Sequence, residues 1–182
     1  PLPFPQCDYL ITEATYGNRL HPKMQEAEAE LLRVIRETCV EKGGKVIIPS
    51  FAIGRTQEIV FALNNFFNEG LLPRVNIYVD SPLAVNATDI FRMHTDILNK
   101  DVAKVMISDP DPFGFNTLHY LKSPEESKKL NEIKKPCVII SASGMMEAGR
   151  IKHHLANNIE NANNTILAVG YCSPNTLGAR IL

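Results

Sequence analysis

The sequence predicts an α/β protein: a mostly parallel, doubly wound, Rossmann-like sheet of about five strands with helices on both faces. Three observations carry that expectation. Short apolar runs that read as buried strands alternate with longer stretches of helical periodicity. Each run ends in a turn of small or polar residues that opens into the next helix, as at residues 45–58, 76–82 and 137–144. The runs Val46-Ile47-Ile48 and Val138-Ile139-Ile140 are continuous rather than alternating, as expected where both faces of a parallel sheet are covered.

The elements follow in order. Residues 1–5, rich in proline, read as a stiff linker, and residues 8–12 as a short strand ending in the polar turn 13–17. Pro22 suits a first helical turn. From Met24 the positions Ala27, Leu31, Val34, Ile35 and Cys39 keep helical spacing until Gly43-Gly44. Residues 46–48 form the second strand, and a turn through Gly54 opens a helix that buries Ile59, Leu63, Phe66 and Phe67 and stops at Gly70. A third strand at 75–79 leads to Asp80-Ser81-Pro82, with Ser81 as N-cap and Pro82 in the first helical position. Its helix should bury Leu83, Ala87, Ile90, Phe91, His94, Ile97 and Leu98.

Residues 101–121 hold too much Pro, Gly and Asp for a regular element and read as a long loop or lid. Ser123-Pro124-Glu125-Glu126 is a capping-box pattern. The fourth strand, 138–140, enters Ser141-Ala142-Ser143-Gly144-Met145, followed by a helix with Ala148, Ile151, Leu155 and Ile159 inward. Residues 165–169 form the fifth strand, which ends at Gly170-Tyr171. In such sheets ligands bind beyond the carboxyl ends of the strands. Those ends are residues 13–17, 50–55, 80–82, 141–145 and 170–173.

Composition narrows the function. A formal net charge of −1 excludes attraction of nucleic acid or membrane to the whole surface, so any anion site must be local. Four dispersed cysteines without a CxxC fit free thiols in a reducing compartment. No apolar run approaches the ~20 residues of a spanning helix. The chain opens on Pro1 and stops at Leu182 inside an apolar run, so it reads as a piece of something longer.

Among candidate residues, Arg55 stands in the first turn of a helix, where a cation opposes the dipole. It is either a plain surface arginine or the ligand of an anion, and Arg150 and Lys152 repeat the pattern. The turn at Ser141 to Met145 is either an ordinary N-cap or an anion-binding turn. Glu13 at a strand end is a cap, a salt-bridge partner or a catalytic acid. For Asp80, N-capping is favoured. His21, His94 and His119 are isolated, and His153 and His154 are adjacent on a helix and diverge by about 100°. His153 faces away from the apolar stripe of its helix and His154 lies at its flank, and no spacing suits a metal. There is no GxSxG elbow, Walker loop or GxGxxG fingerprint.

Five blocks occur in order: ITEATYG (residues 11–17), IPSFAIGRTQE (48–58), YVDSPLA (78–84), SASGMMEAGRIKHHL (141–155) and a final GY followed by TLGARI (170–181). Together they resemble the β-CASP domain of the metallo-β-lactamase RNA-processing nucleases, among them the pre-mRNA 3′-end endonuclease and its prokaryotic relatives. The resemblance spans residues 1–182 as one β-CASP domain. It implies a zinc-dependent phosphodiesterase acting on RNA, with two zinc ions held by a metallo-β-lactamase domain that this sequence lacks. No metal ligand or cofactor is expected within the chain itself, which should be inactive alone.

Glu13 would be the one member of the family's catalytic set present. Ser50, Arg55, Ser143, Gly144, Met145 and Tyr171 would hold the phosphates or bases of single-stranded RNA. The implied partners are RNA and the chain's own metallo-β-lactamase domain, with a homodimer left open and no membrane. The location would be cytoplasmic, or nuclear in a eukaryote. Two alternatives stand: a non-catalytic α/β module for a nucleotide or other anion, and a DNA-directed β-CASP nuclease.

Overall fold

The computed structural model describes residues 5–21 and 23–182. Residues 1–4 of the linker expected at 1–5, and the role expected of Pro22, lie outside them. Five parallel strands form one sheet: β1 (Lys45–Pro49), β2 (Asn76–Asp80), β3 (Leu118–Leu121), β4 (Cys137–Ser141) and β5 (Thr165–Ile166). Their spatial order is β3-β2-β4-β1-β5. The helices are α1 (Met24–Ile35), α2 (Arg55–Asn68), α3 (Pro82–Met93), α4 (Lys100–Val105), α5 (Pro124–Lys129), α6 (Ile151–Asn158) and α7 (Leu177–Ile181).

The period of two along the central strands sorts their side chains into two cores. Val46, Ile48, Ile77, Val79, Val138 and Ile140 face α1, α2 and α3. Ile47, Cys137 and Ile139 face the opposite way, against Leu130, Met146, Ile151 and Leu155, with Leu177 and Ile181 of α7 packed beside them. Every residue of β1 and β4 is buried, which explains their unbroken apolar runs. The doubly wound α/β fold is therefore the one present.

Several elements differ from the expectation. Residues 8–12 are not a strand: Tyr9 and Ile11 are 92% and 98% exposed, because no neighbouring strand in the described chain pairs with them. The fifth strand of the sheet is instead β3, within the segment read as a loop, and α4 lies in the same segment. Only the stretch between them remains irregular, pinned where Arg92 grips Asp111 through Nε (2.9 Å) and Nη2 (3.0 Å).

Helix α3 buries Ala84, Val85, Ala87 and Thr88 and leaves Leu83 and Ile90 exposed; it ends at Met93, and His94 and Ile97 beyond it are exposed as well. Its small residues let the backbone approach the sheet, so the bulkier stripe turns outward. Ala27 of α1 is exposed. Helix α6 begins only at Ile151, leaving Ala148 in an exposed turn, and Ile159 beyond it is 46% exposed. The capping box before α5 is present, with Glu126 N–H donating to Ser123 Oγ and Ser123 N–H to Glu126 Oε2, both at 3.1 Å.

Asp80 is the largest departure. Ser81, not Asp80, caps α3, accepting from Ala84 N–H. Asp80 is wholly buried and accepts hydrogen bonds from Arg150 Nη1 (2.6 Å), His154 Nε2 (2.6 Å) and Ser127 Oγ (2.5 Å). Its carbonyl accepts from Ser141 Oγ at 2.8 Å. His154, expected at the flank of its helix and unpaired, is thus fully buried against a carboxylate, and the counter-charge of Arg150 is internal. The hub ties the ends of β2 and β4 to the starts of α5 and α6, fixing the loop between β4 and α6.

Burial pushes the Asp80 carboxyl up, but the hydrogen bonds from His154, Ser127 and Arg150 outweigh it and hold the pKa below the ordinary aspartate range. The ionised group therefore contributes stability at pH above the unfolded value of about 3.9. That contribution is lost as pH falls through the depressed folded value.

Two stability measurements check this description. Ile139→Ala empties a fully buried position and should cost about 2–5 kcal/mol in urea unfolding, with the slope unchanged. Asp80→Ala leaves Arg150 and His154 without their partner, so the expected loss at pH 7 is about 3–5 kcal/mol. The variant should also lose stability less steeply than the wild type on the acid side of about pH 4.

Candidate functional site

Strands β1 and β4 are adjacent and in register, Pro49 opposite Ser141, with Ser50 N–H donating to Ser141 O at 3.0 Å. Beyond that point the two segments part. The segment after β1 leads into α2 over one core, and the segment after β4 leads into α6 over the other. Such a divergence opens a crevice at the carboxyl end of a parallel sheet.

Local chemistry fixes the β1 turn. Gly54 takes a φ of 83°, and its N–H donates to Gln57 Oε1 at 2.8 Å. Thr56 Oγ1 donates to Phe51 O at 2.7 Å, and Gln57 Nε2 donates to Thr88 Oγ1 at 2.9 Å. The N–H groups of Arg55 and Thr56 are also used within the turn, on Ile53 O and Phe51 O. The start of α2 therefore spends most of its backbone donors within its own turn. What it presents outward is the Arg55 side chain, together with exposed Phe51 and Ile53.

Residues distant in sequence meet here. Glu13, Tyr16, Phe51, Arg55, Met145 and Tyr171 line one depression of about 430 Å³. Gly144 lies beside it: a Cβ at that position would stand 3.0 Å from the Phe51 ring, so a larger residue would have to push that ring aside. Ser143 Oγ accepts from Ala148 N–H at 3.3 Å, bracing the β4 loop. Ser50 is only 1% exposed, its hydroxyl shared between Thr56 Oγ1 and Phe51 O, so it shapes the turn from beneath. Asp80-Ser81-Pro82 ends its strand in the buried hub, and does not line the depression.

Charge in the depression is mixed. Glu13 Oε1 accepts from Thr15 N–H at 2.5 Å, and hydrogen bonds with Thr15 hold its carboxyl below the usual glutamate range. Arg55 Nη1 pairs with Glu58 Oε2 at 2.7 Å, with both side chains about half exposed. An exposed i,i+3 pair contributes at most a few tenths of a kcal/mol. An incoming anion can therefore recruit Arg55 from Glu58 at little cost. Among the described residues, no three His, Cys, Asp or Glu side chains stand together as a metal cluster would require.

The sequence reading placed the rim at residues 13–17 and 50–55 but singled out neither Tyr16 nor Phe51 within them, and it missed Glu58. The adjacency of Tyr16 to the Glu13 turn was the available signal. Nothing local marks Phe51, whose exposure of 44% follows from the outward path of the loop.

A sequence model of the Beta-Casp domain matches residues 56–181. The chain is 36% identical over 181 residues to "Transcription termination factor FttA" of Methanosarcina mazei, covering 98% of this chain and 28% of that protein. It is 35% identical over 178 residues to "Ribonuclease TTHA0252" of Thermus thermophilus, covering 98% of this chain and 41% of that one. Identity to "Endoribonuclease ysh1" of Schizosaccharomyces pombe is 35% over 175 residues, 96% of this chain and 22% of the other. The chain thus spans well under half the length of the curated relatives it matches. A doubly wound parallel sheet, a crevice where β1 and β4 part, and a matching sequence model over most of its length place this chain in the β-CASP domain family.

Proposed function

We propose that this chain is the RNA-holding domain of a metal-dependent ribonuclease whose metal ligands lie in a metallo-β-lactamase domain outside these residues. One observation carries the reading. Glu13, Arg55, Met145 and Tyr171, contributed by four separate segments, line a single open depression at the strand ends. The relatives named as ribonuclease and endoribonuclease support phosphodiester hydrolysis as the reaction.

Each residue has a definable part in holding the substrate. Arg55, released from its weak pair with Glu58, takes a backbone phosphate through its guanidinium fork. Tyr171 offers a ring face for a base, and the Ser143-Gly144-Met145 backbone borders the path of the strand. Phosphate contacts of this kind give affinity without reading sequence. Glu13, ionised and anchored through one oxygen to Thr15, keeps its second oxygen for a donor across the cleft. Its part is to orient the reacting groups that the rest of the protein supplies. Among the described residues, the donors present do not fit a metal.

The test is a salt titration of RNA binding by the full-length protein. Arg55→Ala should weaken single-stranded RNA binding and reduce the slope of log K against log[salt] by about 0.7, the value for one lost phosphate contact. Unchanged affinity and slope would remove Arg55 from the RNA path. Glu13→Gln should leave RNA affinity within a few-fold and depress cleavage. Equal losses in both would assign Glu13 to binding instead.

A further inference from the structure

Tyr16 and Tyr171 form a wall with space on both sides. On one side lies the depression that holds Glu13. On the other lies a larger depression of about 820 Å³, which shares Tyr16, Arg55, Glu58 and Tyr171 with the first and adds Arg19 and His21. The volume falls in the range of small-ligand sites. Its remaining surface is apolar, with Met24 and Ala27 of α1 facing Ala168 and Val169 beyond β5.

The wall carries π faces and cations together. The Tyr16 and Tyr171 rings meet edge to face, 6.1 Å apart at 75°. The His21 ring centroid lies 4.3 Å from that of Tyr16, tilted by 58°. The Arg19 guanidinium sits 5.1 Å above the Tyr16 ring. Tyr16 and Tyr171 are half-buried, so their positions are held, while His21 and Arg19 remain exposed. A cluster that served only to fill a core would not leave a chamber of this size beside it, nor station an exposed arginine over a half-buried ring.

From this arrangement we infer that the second depression is a base-stacking subsite for a single-stranded RNA nucleotide. It takes the base next to the nucleotide whose phosphate lies on the Glu13 side. A strand crossing the wall places consecutive nucleotides in the two depressions, with the phosphate between them over Arg55, which borders both. Stacking on aromatic faces tolerates any base, because every base has a π face. The cations then serve the flanking phosphate and the ring of Tyr16. The inference rests on the reading of this chain as an RNA-holding domain.

The experiment measures binding of the full-length protein to a series of RNA oligonucleotides, each with one abasic position, at fixed salt. At one position the abasic change should weaken wild-type binding by about tenfold. That penalty should shrink to less than twofold in His21→Ala and in Tyr171→Leu, and persist in Tyr171→Phe. His21 is exposed, so its replacement tests the site without burdening the fold. Independently of any variant, 2-aminopurine at the same position should be quenched on binding. Intact RNA affinity with an equal response at every abasic position would overturn the subsite and leave the proposed function standing. Failure of the wild-type protein to bind any RNA would overturn both.

Discussion

The parallel pairing of β1 with β4 is the constraint on which the rest depends. Five registered pairs, from Lys45 with Cys137 to Pro49 with Ser141, bring together segments of chain separated by about half the sequence. Both strands are buried along their whole length, so neither can slip by one residue without turning its Ile side chains into the wrong core. Once that register is set, the loops after Pro49 and Ser141 must begin side by side. The helices they feed cover opposite faces, so the loops must then separate. The crevice follows from the topology and needs no further device.

Two kinds of electrostatics are built around that crevice. Asp80 and His154 are sealed beneath the β4 loop with a mostly buried Arg150, where the Asp80 charge persists because its partners are present. Arg55 and Glu58 lie on the rim in water, where their pairing is weak and exchangeable. The first arrangement gives the loop a fixed shape, and the second leaves a cation that a ligand can draw away. The contrast separates residues that hold the fold from those free to act, although both sets include an arginine at the start of a helix.

Much of this was legible in the sequence, and the failures have physical causes. The buried strands β1 and β4 announce themselves because full burial demands continuous apolar residues, and β2 is marked by Ile77 and Val79 ahead of the Asp80-Ser81-Pro82 turn. The Ser81 and Ser123 caps follow from local hydrogen-bond geometry. Strand β3 escaped because it is an edge strand: Leu118, Tyr120 and Leu121 are only half-buried and His119 is exposed, so no run or alternation marks it. Residues 8–12 erred in the other direction, since a strand pattern makes a strand only where a neighbour offers a ladder. In α3 two stripes compete, and apolarity alone favoured Leu83 and Ile90 over Ala84, Val85 and Thr88, which close on the sheet together with the expected Ala87. Asp80 was read as a cap from its turn, because its true partners stand 47, 70 and 74 residues away. For the site, the meeting of strand-end turns at one rim followed from the fold class. The contributions of Phe51 and Glu58 depended on loop paths that no local pattern encodes.

The central claim is that single-stranded RNA lies across the rim where β1 and β4 part. Photo-crosslinking of the full-length protein to RNA carrying 4-thiouridine, with the attached peptides identified by mass spectrometry, tests it most directly. Adducts should concentrate on the peptides containing Tyr16, Phe51, Met145 and Tyr171, which lie far apart in sequence and together only in this fold. Adducts confined to the opposite end of the sheet, around Arg74 and Lys135, would contradict the account.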